Sequence, residues 1–196
     1  MSLQVDYCSY QAAKYACEKW HYSGCIPAVK NVRFGVWEGG DFIGAVVYSR
    51  SANPNIGTFV GLEQTEAVEL TRVALDEHNA PVSQIVSYTI KMLKRKDNGI
   101  RVLVSYADPA ENHHGGIYQA MNWHYIGQTE PNTVLVDSNG NKVHKRTVNR
   151  AKKKGFSTIK QHEKLERKRV PGKHKYVYPL DDEIEAKVKD MAEPYP

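Results

Sequence analysis

The stretch Val102-Leu-Val-Ser-Tyr-Ala-Asp-Pro-Ala-Glu-Asn-His-His-Gly-Gly-Ile-Tyr-Gln-Ala-Met-Asn-Trp123 begins as an apolar run and ends in polar, aromatic and glycine residues. Residues 102–106 are rich in β-formers and bounded by turn residues, which predicts a buried strand. Asp108-Pro109 ends it, because proline donates no backbone hydrogen bond. Gly115-Gly116 lets the backbone pass close to a ligand or a neighbouring element before a helix that carries Tyr118. A strand end, an acid, a glycine turn and a tyrosine together predict a reaction site.

The segments around this stretch predict an α/β fold of the α+β kind. In chain order they are a helix within 6–22, strands at 32–38, 42–49 and 67–75, a helix over 82–94, the strand at 102–106, the helix with Tyr118, strands at 123–127 and 133–136, a polar helix over 144–168, a strand at 175–178 and a helix over 181–191. Ser9 is placed to cap the first helix. Gly39-Gly40 suits the tight turn of a hairpin. Arg72 interrupts the alternation of its strand, which predicts a bulge or a strand tip aimed at a ligand.

Size and composition predict one domain with an appended segment. A chain of 196 residues with 41% hydrophobic content can bury one substantial core. No run of about 18 apolar residues occurs, and no basic and apolar leader opens the chain. We therefore expect a soluble, cytoplasmic protein without a membrane partner.

The three cysteines, Cys8, Cys17 and Cys25, contain no C-x-x-C pair, which is typical of reduced thiols. Cys17, His21 and Cys25 are spaced by four residues and would share one face of a continuous helix, where they could ligate a metal. Gly24 and Pro27 are expected to end that helix near His21. Burial as a structural thiol is the more common fate of cysteine.

The charge of the chain is concentrated in one segment. Residues 142–175 contain 14 Lys and Arg and two acids, a net charge of +12, whereas the remainder carries −7. Such a segment typically meets a polyanion, because each phosphate that it neutralises releases counterions. The alternative is a solvated helix face or a flexible tail. The predicted DNA contacts are Lys152, Lys153, Lys154, Arg167, Lys168, Arg169, Lys173 and Lys175.

These features divide the chain into three predicted parts. Residues 1–141 form a catalytic core, residues 142–175 form a basic DNA-contacting segment, and residues 176–196 form a strand and a helix that pack back on the core.

Five motifs carry a resemblance to a known family. They are Glu69-Leu-Thr-Arg-Val, Val104-Ser-Tyr-Ala-Asp-Pro, Gly116-Ile-Tyr-Gln-Ala-x-x-Trp-x-Tyr-x-Gly127, Lys173-His-Lys-Tyr-Val-Tyr-Pro-Leu and Glu193-Pro-Tyr-Pro. Together with the order of the elements, they resemble the phage Mom family of GNAT-like, DNA-modifying enzymes. The resemblance extends from His21 to the C-terminus. It implies a GNAT-like mixed central sheet flanked by helices, with a basic C-terminal extension.

The resemblance also implies a function. Family members convert adenine in double-stranded DNA to N6-carbamoylmethyl-adenine, which protects phage DNA from restriction in the cytoplasm of the host bacterium. Acetyl-CoA or a related acyl-CoA is the expected small-molecule donor, and a homodimer is a further expectation. Two alternatives stay open from the residues alone. One is an acyl-CoA-dependent N-acyltransferase that acts on a protein or a small amine, and the other is a DNA-binding module without enzymatic activity.

The resemblance places catalysis on Asp108, Tyr118 and Arg72. Asp108 follows an apolar strand, and a desolvated carboxyl group can act as a base, although an aspartate before proline also caps turns. Tyr118 would donate a proton to a leaving thiolate or hold the target base, or would only pack. Arg72 offers a planar cation to a phosphate or carboxylate. Its alternative is a salt bridge to Glu69 or Asp76.

Donor binding is assigned to Ser83, Gln84 and Arg72. A GNAT-like enzyme would place the CoA diphosphate on the free backbone N–H groups that open the helix after Pro81. The glycine-rich loop that normally does this is absent, since residues 79–83 contain no glycine. The alternative for Ser83 is a simple N-cap.

Two further predictions concern metal and base binding. The resemblance implies iron at His21 and Tyr22, which would ligate it together with a carboxylate such as Asp108. Adenine N6 lies inside the duplex, so the enzyme is expected to flip the base out and stack it on an aromatic side chain. The candidates for stacking are Tyr22, His113, His114, Trp123 and Tyr125, of which Trp123 is the best candidate for the core.

Overall fold

The computed structural model describes residues 2–96, 99–138, 140, 142–143 and 165–196. They form two compact units. The first contains the chain up to Ala107, His114–Gly127 and His174–Pro196, and the second contains Asp108–His113 and Gln128–Lys173. The strands are β1 Leu3–Tyr7, β2 Asn31–Glu38, β3 Asp41–Ser49, β4 Ala67–Leu75, β5 Val102–Ala107, β6 His124–Gln128, β7 Asn132–Val136, β8 Lys142–Val143, β9 Glu166–Val170 and β10 His174–Pro179. The helices are α1 Tyr10–Trp20, α2 Val82–Lys96, α3 Gly116–Gln119 and α4 Asp182–Lys189.

A mixed sheet organises the first unit. Within the described residues its strand order is β1-β2-β3-β4-β5-β10-β6. β4 and β5 are parallel, while the pairs β1–β2, β2–β3, β3–β4 and β5–β10 are antiparallel. Helices cover the sheet on both faces, so the predicted α+β architecture with a mixed central sheet is confirmed. None of the described helices has the length and apolar character needed to cross a membrane.

Local sequence signals account for several of these elements. The Ser9 hydroxyl caps α1 by accepting from the Ala12 backbone N–H at 3.1 Å. Gly39 and Gly40 turn the β2–β3 hairpin with positive φ angles of 65° and 98°, a conformation that glycine adopts at no steric cost. At the last helix, Asp181 Oδ1 accepts from the Ile184 N–H at 3.0 Å and so caps α4.

Apolar side chains on both faces of the sheet build the core. α2 buries Ile85, Val86, Ile90 and Leu93, the first, second and last of which are at most 1% exposed. They pack with Phe34, Val46, Tyr48 and Leu103 of the strands. The small residues Ala13, Ala16 and Cys17 let α1 approach β3 closely on the other face. Burial at this α1 contact explains why Cys17 is a structural thiol.

The second unit contains a three-stranded sheet in the order β8-β7-β9, within the part of the chain that the structure describes. β9 pairs antiparallel with β7, from Val136↔Glu166 to Asn132↔Val170. The polar helix predicted over 144–168 is therefore wrong at its end. Uniformly polar residues carry no helical period, and here pairing with β7 satisfies their backbone. The rest of that helix, with Lys152, Lys153 and Lys154, lies outside the described residues, and the domain boundaries at 141 and 175 stay a prediction.

Candidate active site

The parallel strands β4 and β5 part at the centre of the first unit. They pair only from Ala67↔Val102 to Glu69↔Val104. Further along, β4 stays paired with β3 as far as Leu75, and β5 stays paired with β10 as far as Ala107. The ladder between β4 and β5 thus ends while both strands continue. The result is an opening in the sheet whose two sides are strand backbone.

A bulge in β4 lies at this opening. Val47 pairs with Arg72 and Tyr48 pairs with Leu70, so Thr71 is the extra residue. The Thr71 hydroxyl donates to the Val47 carbonyl at 2.9 Å. This confirms the bulge predicted from the broken alternation of the strand. A bulge re-aims the side chains that follow it.

Tyr118 reaches the opening from the short helix α3. Its side chain is buried, with an exposed fraction of 8%. Its phenolic oxygen lies 2.7 Å from Ser105 Oγ, which also lies 2.8 Å from the Leu70 carbonyl. The single Ser105 hydroxyl proton has two acceptors within reach, the Leu70 carbonyl and the Tyr118 oxygen. Ser105 thereby links Tyr118 to both parted strands.

Burial raises the pKa of Tyr118 to about 12, against the opposing effect of the Ser105 hydrogen bond. Tyr22, Glu69 and Tyr176 add smaller contributions in the same direction. Tyr118 is therefore protonated at neutral pH, as a proton donor must be. Tyr22 and Glu69 lie within electrostatic reach of its hydroxyl. Sequence reasoning missed Ser105 as a partner and treated Glu69 only as a possible ion-pair partner, although both occur in the quoted motifs.

An aromatic cluster holds Tyr118 in place. Its ring lies 5.1 Å from Trp123 and 5.0 Å from Tyr176, between ring centres. Trp123 is fully buried, in agreement with the core alternative. Gly115 adopts φ 84°, and an added Cβ would lie only 2.2 Å from the Tyr176 ring. The glycine turn therefore serves a close approach to a neighbouring element. The Tyr195 hydroxyl of the C-terminal motif donates to the Trp123 carbonyl at 2.9 Å.

Arg72 lies within β4 and not at its tip. Its Nε donates to the Cys25 carbonyl at 2.9 Å, and its Nη1 donates to the Thr71 carbonyl at 2.7 Å. These acceptors of Arg72 are backbone carbonyl groups, and not the carboxylates of Glu69 or Asp76 that the sequence suggested. Arg72 ties β4 to the loop after α1, the segment that carries His21 and Tyr22. Its proposed part in catalysis and donor binding stays a prediction.

His21 and Tyr22 stack on each other, with ring centres 4.4 Å apart. His21 Nδ1 accepts from the Ser23 N–H at 3.1 Å and lies 2.8 Å from the Ser23 hydroxyl. Among the described residues, no group of three or more His, Cys, Asp and Glu is placed to hold a metal ion. The predicted iron site is therefore unsupported in the part of the chain that the structure describes, and iron has no part in the roles derived below.

The three residues of the candidate metal motif, Cys17, His21 and Cys25, do not lie on one helix face. α1 ends at Trp20, so Cys17, His21 and Cys25 do not share one helix. Cys17 is fully buried, and desolvation raises its pKa to about 11. A buried neutral thiol is neither a metal ligand nor a nucleophile.

Ser83 and Gln84 lie in the first turn of α2. The helix begins at Val82, so Ser83 is not the N-cap and that alternative is wrong. Gln84 lines a cavity of about 500 Å³. The other lining residues are Leu3, Glu38, Asn79, Ala80 and Tyr88.

Asp108 belongs to the second unit. Its Oδ1 accepts from the Ala110 N–H at 3.1 Å and caps the 3-10 turn Pro109–Glu111. Its Oδ2 lies 3.1 Å from the Lys173 ammonium, and the Asp108 side chain is 10% exposed. The turn-capping alternative is therefore present in the structure. A catalytic role of Asp108 stays a prediction.

The sequence as a whole matches a known protein family. The Mom protein family model matches residues 2–196. The chain belongs to the Mom protein family. One family relative, the methylcarbamoylase Mom of Escherichia phage Mu, is 29% identical over 157 residues. That alignment covers 78% of this chain and 64% of the phage Mu protein, slightly less than two thirds of its length.

Solved structures show that this Mom family member has the GNAT fold. The ribosomal-protein-S18-alanine N-acetyltransferase of Escherichia coli superimposes with a TM-score of 0.51, at 8% identity over 92% of this chain and 95% of that enzyme. The GNAT domain of S. lividans PAT gives 0.51 at 16% identity over 91% and 90%. At such identities the likeness concerns the fold alone.

The predicted DNA contacts of the family member differ in their exposure. Arg167, Lys168 and Arg169 are exposed along β9, which lies at one edge of the three-stranded sheet formed by the described residues. Lys173 is half exposed and pairs with Asp108. Lys175, in the first unit, is partly buried, with its ammonium 3.6 Å from the ring centre of Phe59. Desolvation lowers the pKa of Lys175 to about 8, so its environment is unlike that of an exposed phosphate contact.

Proposed function

We propose that this Mom family member is a DNA-modifying transferase that converts adenine in double-stranded DNA to N6-carbamoylmethyl-adenine and so protects phage DNA from restriction in the host cytoplasm. The family match over residues 2–196 carries the proposal. The similarity to a phage Mu protein named methylcarbamoylase supports it.

The donor is an acyl thioester of the CoA type, and its arm binds in the opening between β4 and β5. Strand backbone beyond Glu69 and Val104 borders that opening. An extended chain with amide groups can pair with such backbone in the way that an added strand does. The pantetheine arm of CoA is a chain of this kind. The GNAT fold supports this placement.

Tyr118 supplies a proton at the reaction centre. Its pKa of about 12 keeps it protonated at neutral pH, and Ser105 orients its hydroxyl. A thiolate leaving from the donor needs such a proton. Adenine N6 is a weak nucleophile because its lone pair is delocalised into the ring, so it also needs a base. Asp108 is the predicted base. Acetyl transfer alone would place a carbonyl carbon on N6 and supplies no nitrogen, so the carbamoylmethyl product needs a further, nitrogen-containing reactant. The roles of these residues are binding, orientation and proton transfer.

DNA binds through the basic segment. Residues 142–175 carry a net charge of +12, and three successive cations of that segment, Arg167, Lys168 and Arg169, are exposed on β9. Exposed Lys and Arg fix a protein on the phosphate backbone without reading sequence. Tyr22, which is 51% exposed, is an aromatic surface for stacking on a flipped adenine.

Mass spectrometry of nucleosides tests the proposal. DNA from cells that express the chain is digested and compared with DNA from cells that carry the empty vector. We expect a deoxyadenosine derivative that is heavier by one carbamoylmethyl group. Soluble protein without any new adenine species would refute the proposed function.

A further inference from the structure

A buried carboxylate occupies the loop that leads into α2. Glu38, at the end of β2, is 9% exposed. Its Oε2 accepts from the Asn79 backbone N–H at 2.9 Å and from Asn79 Nδ2 at 3.1 Å, and its Oε1 accepts from the Ala80 N–H at 2.9 Å. These bonds, led by the one from the Asn79 backbone, lower the pKa of Glu38. An anion of the protein itself therefore sits on this loop at neutral pH.

The same loop is where a GNAT-like enzyme would bind the diphosphate of CoA. That binding needs backbone N–H groups that are free to point at phosphate oxygens. The N–H groups of Asn79 and Ala80 are already satisfied by Glu38, and Pro81 has none, so a diphosphate would be left with the N–H groups of the first turn of α2, which begins at Val82. The absence of glycine from residues 79–83, noted from the sequence, thus coincides with an internal carboxylate on the loop.

The adjoining cavity, of about 500 Å³, has the wrong charge for a diphosphate. Glu38 is the one charged residue among the described residues that line it. A phosphate beside Gln84 would meet a like charge and would lose the two backbone donors. His78 lies within electrostatic reach of Glu38, and the Lys91 ammonium lies 5.8 Å from the ring centre of Tyr88. Neither belongs to the lining.

We propose that Glu38 is a specificity-determining residue of the donor site. Its carboxylate takes the place that a diphosphate would fill, so the donor is recognised through its neutral thioester arm and not through its nucleotide. No phosphate is bound in the cavity that Glu38 lines together with Gln84 and Tyr88, and the arm binds in the opening between β4 and β5. The inference rests on the proposed function in so far as the donor is an acyl thioester.

Equilibrium binding to the full chain tests the inference with two probes. Acetyl-CoA carries the diphosphate, and S-acetylpantetheine carries the same thioester arm without it. We expect the wild-type chain to bind the two with affinities within about threefold of each other, which is less than 1 kcal/mol. Acetyl-CoA bound about 30-fold or more tightly than S-acetylpantetheine would overturn the inference, and so would binding of neither.

The substitution Glu38→Gln removes the negative charge at nearly constant shape. We expect it to raise the affinity for acetyl-CoA about tenfold, equivalent to about 1.4 kcal/mol, and to leave S-acetylpantetheine unchanged. Asn79→Ala is the matched control, because it removes a side-chain donor to Glu38 but leaves the carboxylate and the backbone N–H groups in place. It should not favour acetyl-CoA. An equal change for both probes in Glu38→Gln would mean that Glu38 only supports the loop, and would contradict the inference.

The comparison on the wild-type chain decides the matter even if Glu38→Gln does not fold. The binding measurement also needs no DNA. If affinities follow the expectation while DNA carries no new adenine species, the proposed function fails alone. If adenine is modified while acetyl-CoA binds far more tightly than S-acetylpantetheine, the inference about Glu38 fails alone.

Discussion

The two compact units differ in what they bury. In the first unit, Tyr118 is enclosed by aromatic rings, with an exposed fraction of 8%. In the second unit, the cations of β9 are exposed at one edge of the three-stranded sheet formed by the described residues. Acid and base chemistry needs groups whose protonation the protein controls by burial, whereas phosphate binding needs cations that reach solvent and release counterions. On the proposed function, we expect turnover and DNA affinity to be separable by mutation.

Tyr118→Phe is expected to have the largest effect. It removes the proton donor but keeps the ring, so modification should fall at least about 100-fold, the usual contribution of a general acid. DNA affinity should stay unchanged in a filter-binding or fluorescence assay. Tyr178→Phe is the matched control, since this ring also packs against Trp123, at 5.4 Å between ring centres. A similar loss of activity in both variants would show that the loss comes from disturbed packing around Trp123 and not from the missing proton donor.

Asp108→Asn tests whether a residue of the second unit takes part in chemistry. Asparagine can still accept from the Ala110 N–H but cannot act as a base, so we expect the rate to fall more than about tenfold. Lys173→Met breaks the same ion pair, of 3.1 Å, while leaving the carboxylate. If its modification rate, at saturating DNA, falls as far as that of Asp108→Asn, the ion pair and not a base explains the loss.

A triple substitution on β9, Arg167→Ala with Lys168→Ala and Arg169→Ala, should weaken DNA binding about tenfold and reduce the salt slope of the logarithmic binding constant by about 2 to 3. The rate at saturating DNA should be unchanged. The control is an equal loss of charge on exposed lysines of the first unit, Lys14, Lys19 and Lys189. Equal salt slopes in the two triple variants would mean that the β9 cations affect DNA binding only through the net charge of the protein and not through direct contacts with phosphates.

Lys175→Met is expected to have the smallest effect, on the pH dependence of stability. The pKa of Lys175 in the folded chain, about 8, lies below the ordinary lysine pKa of 10.5. Between these values the unfolded chain binds more protons, so wild-type stability gains from this group as pH rises. Thermal unfolding between about pH 7.5 and 9 should show a flatter dependence in Lys175→Met than in wild type. Identical dependences would indicate that Lys175 is solvated.

Local patterns predicted much of the fold, and long-range contacts explain the rest. Turn glycines, the Ser9 cap and the broken alternation at Arg72 each act within a few residues, and the structure contains all of these features. β1 was missed because Leu3–Tyr7 is a short edge strand with few buried residues. The outcome for β9 depends on pairing with β7, whose partner residues lie 30 to 38 positions earlier in the chain, and no local period indicates such pairing.

In the candidate site, too, local sequence patterns indicate single residues but not their long-range partners. The stretch 102–123 is predicted to hold a reaction site, but its spacing does not reveal that Ser105 and Tyr118 meet. The partner of Arg72 is the Cys25 carbonyl, 47 positions away. The contact between Glu38 and Asn79 joins residues 41 positions apart. Partners at such separations are set by sheet register, which the sequence of one element does not contain.

The amount of modified adenine made by wild type and by Tyr118→Phe, at equal protein levels, tests the account most directly. Nucleoside mass spectrometry of DNA from the two expressing strains measures it. We expect carbamoylmethyl-deoxyadenosine in the wild-type sample and at least about 100-fold less in the variant. Equal adduct in both samples, or none from soluble wild-type protein, would contradict the claim that Tyr118 serves the modification of DNA adenine.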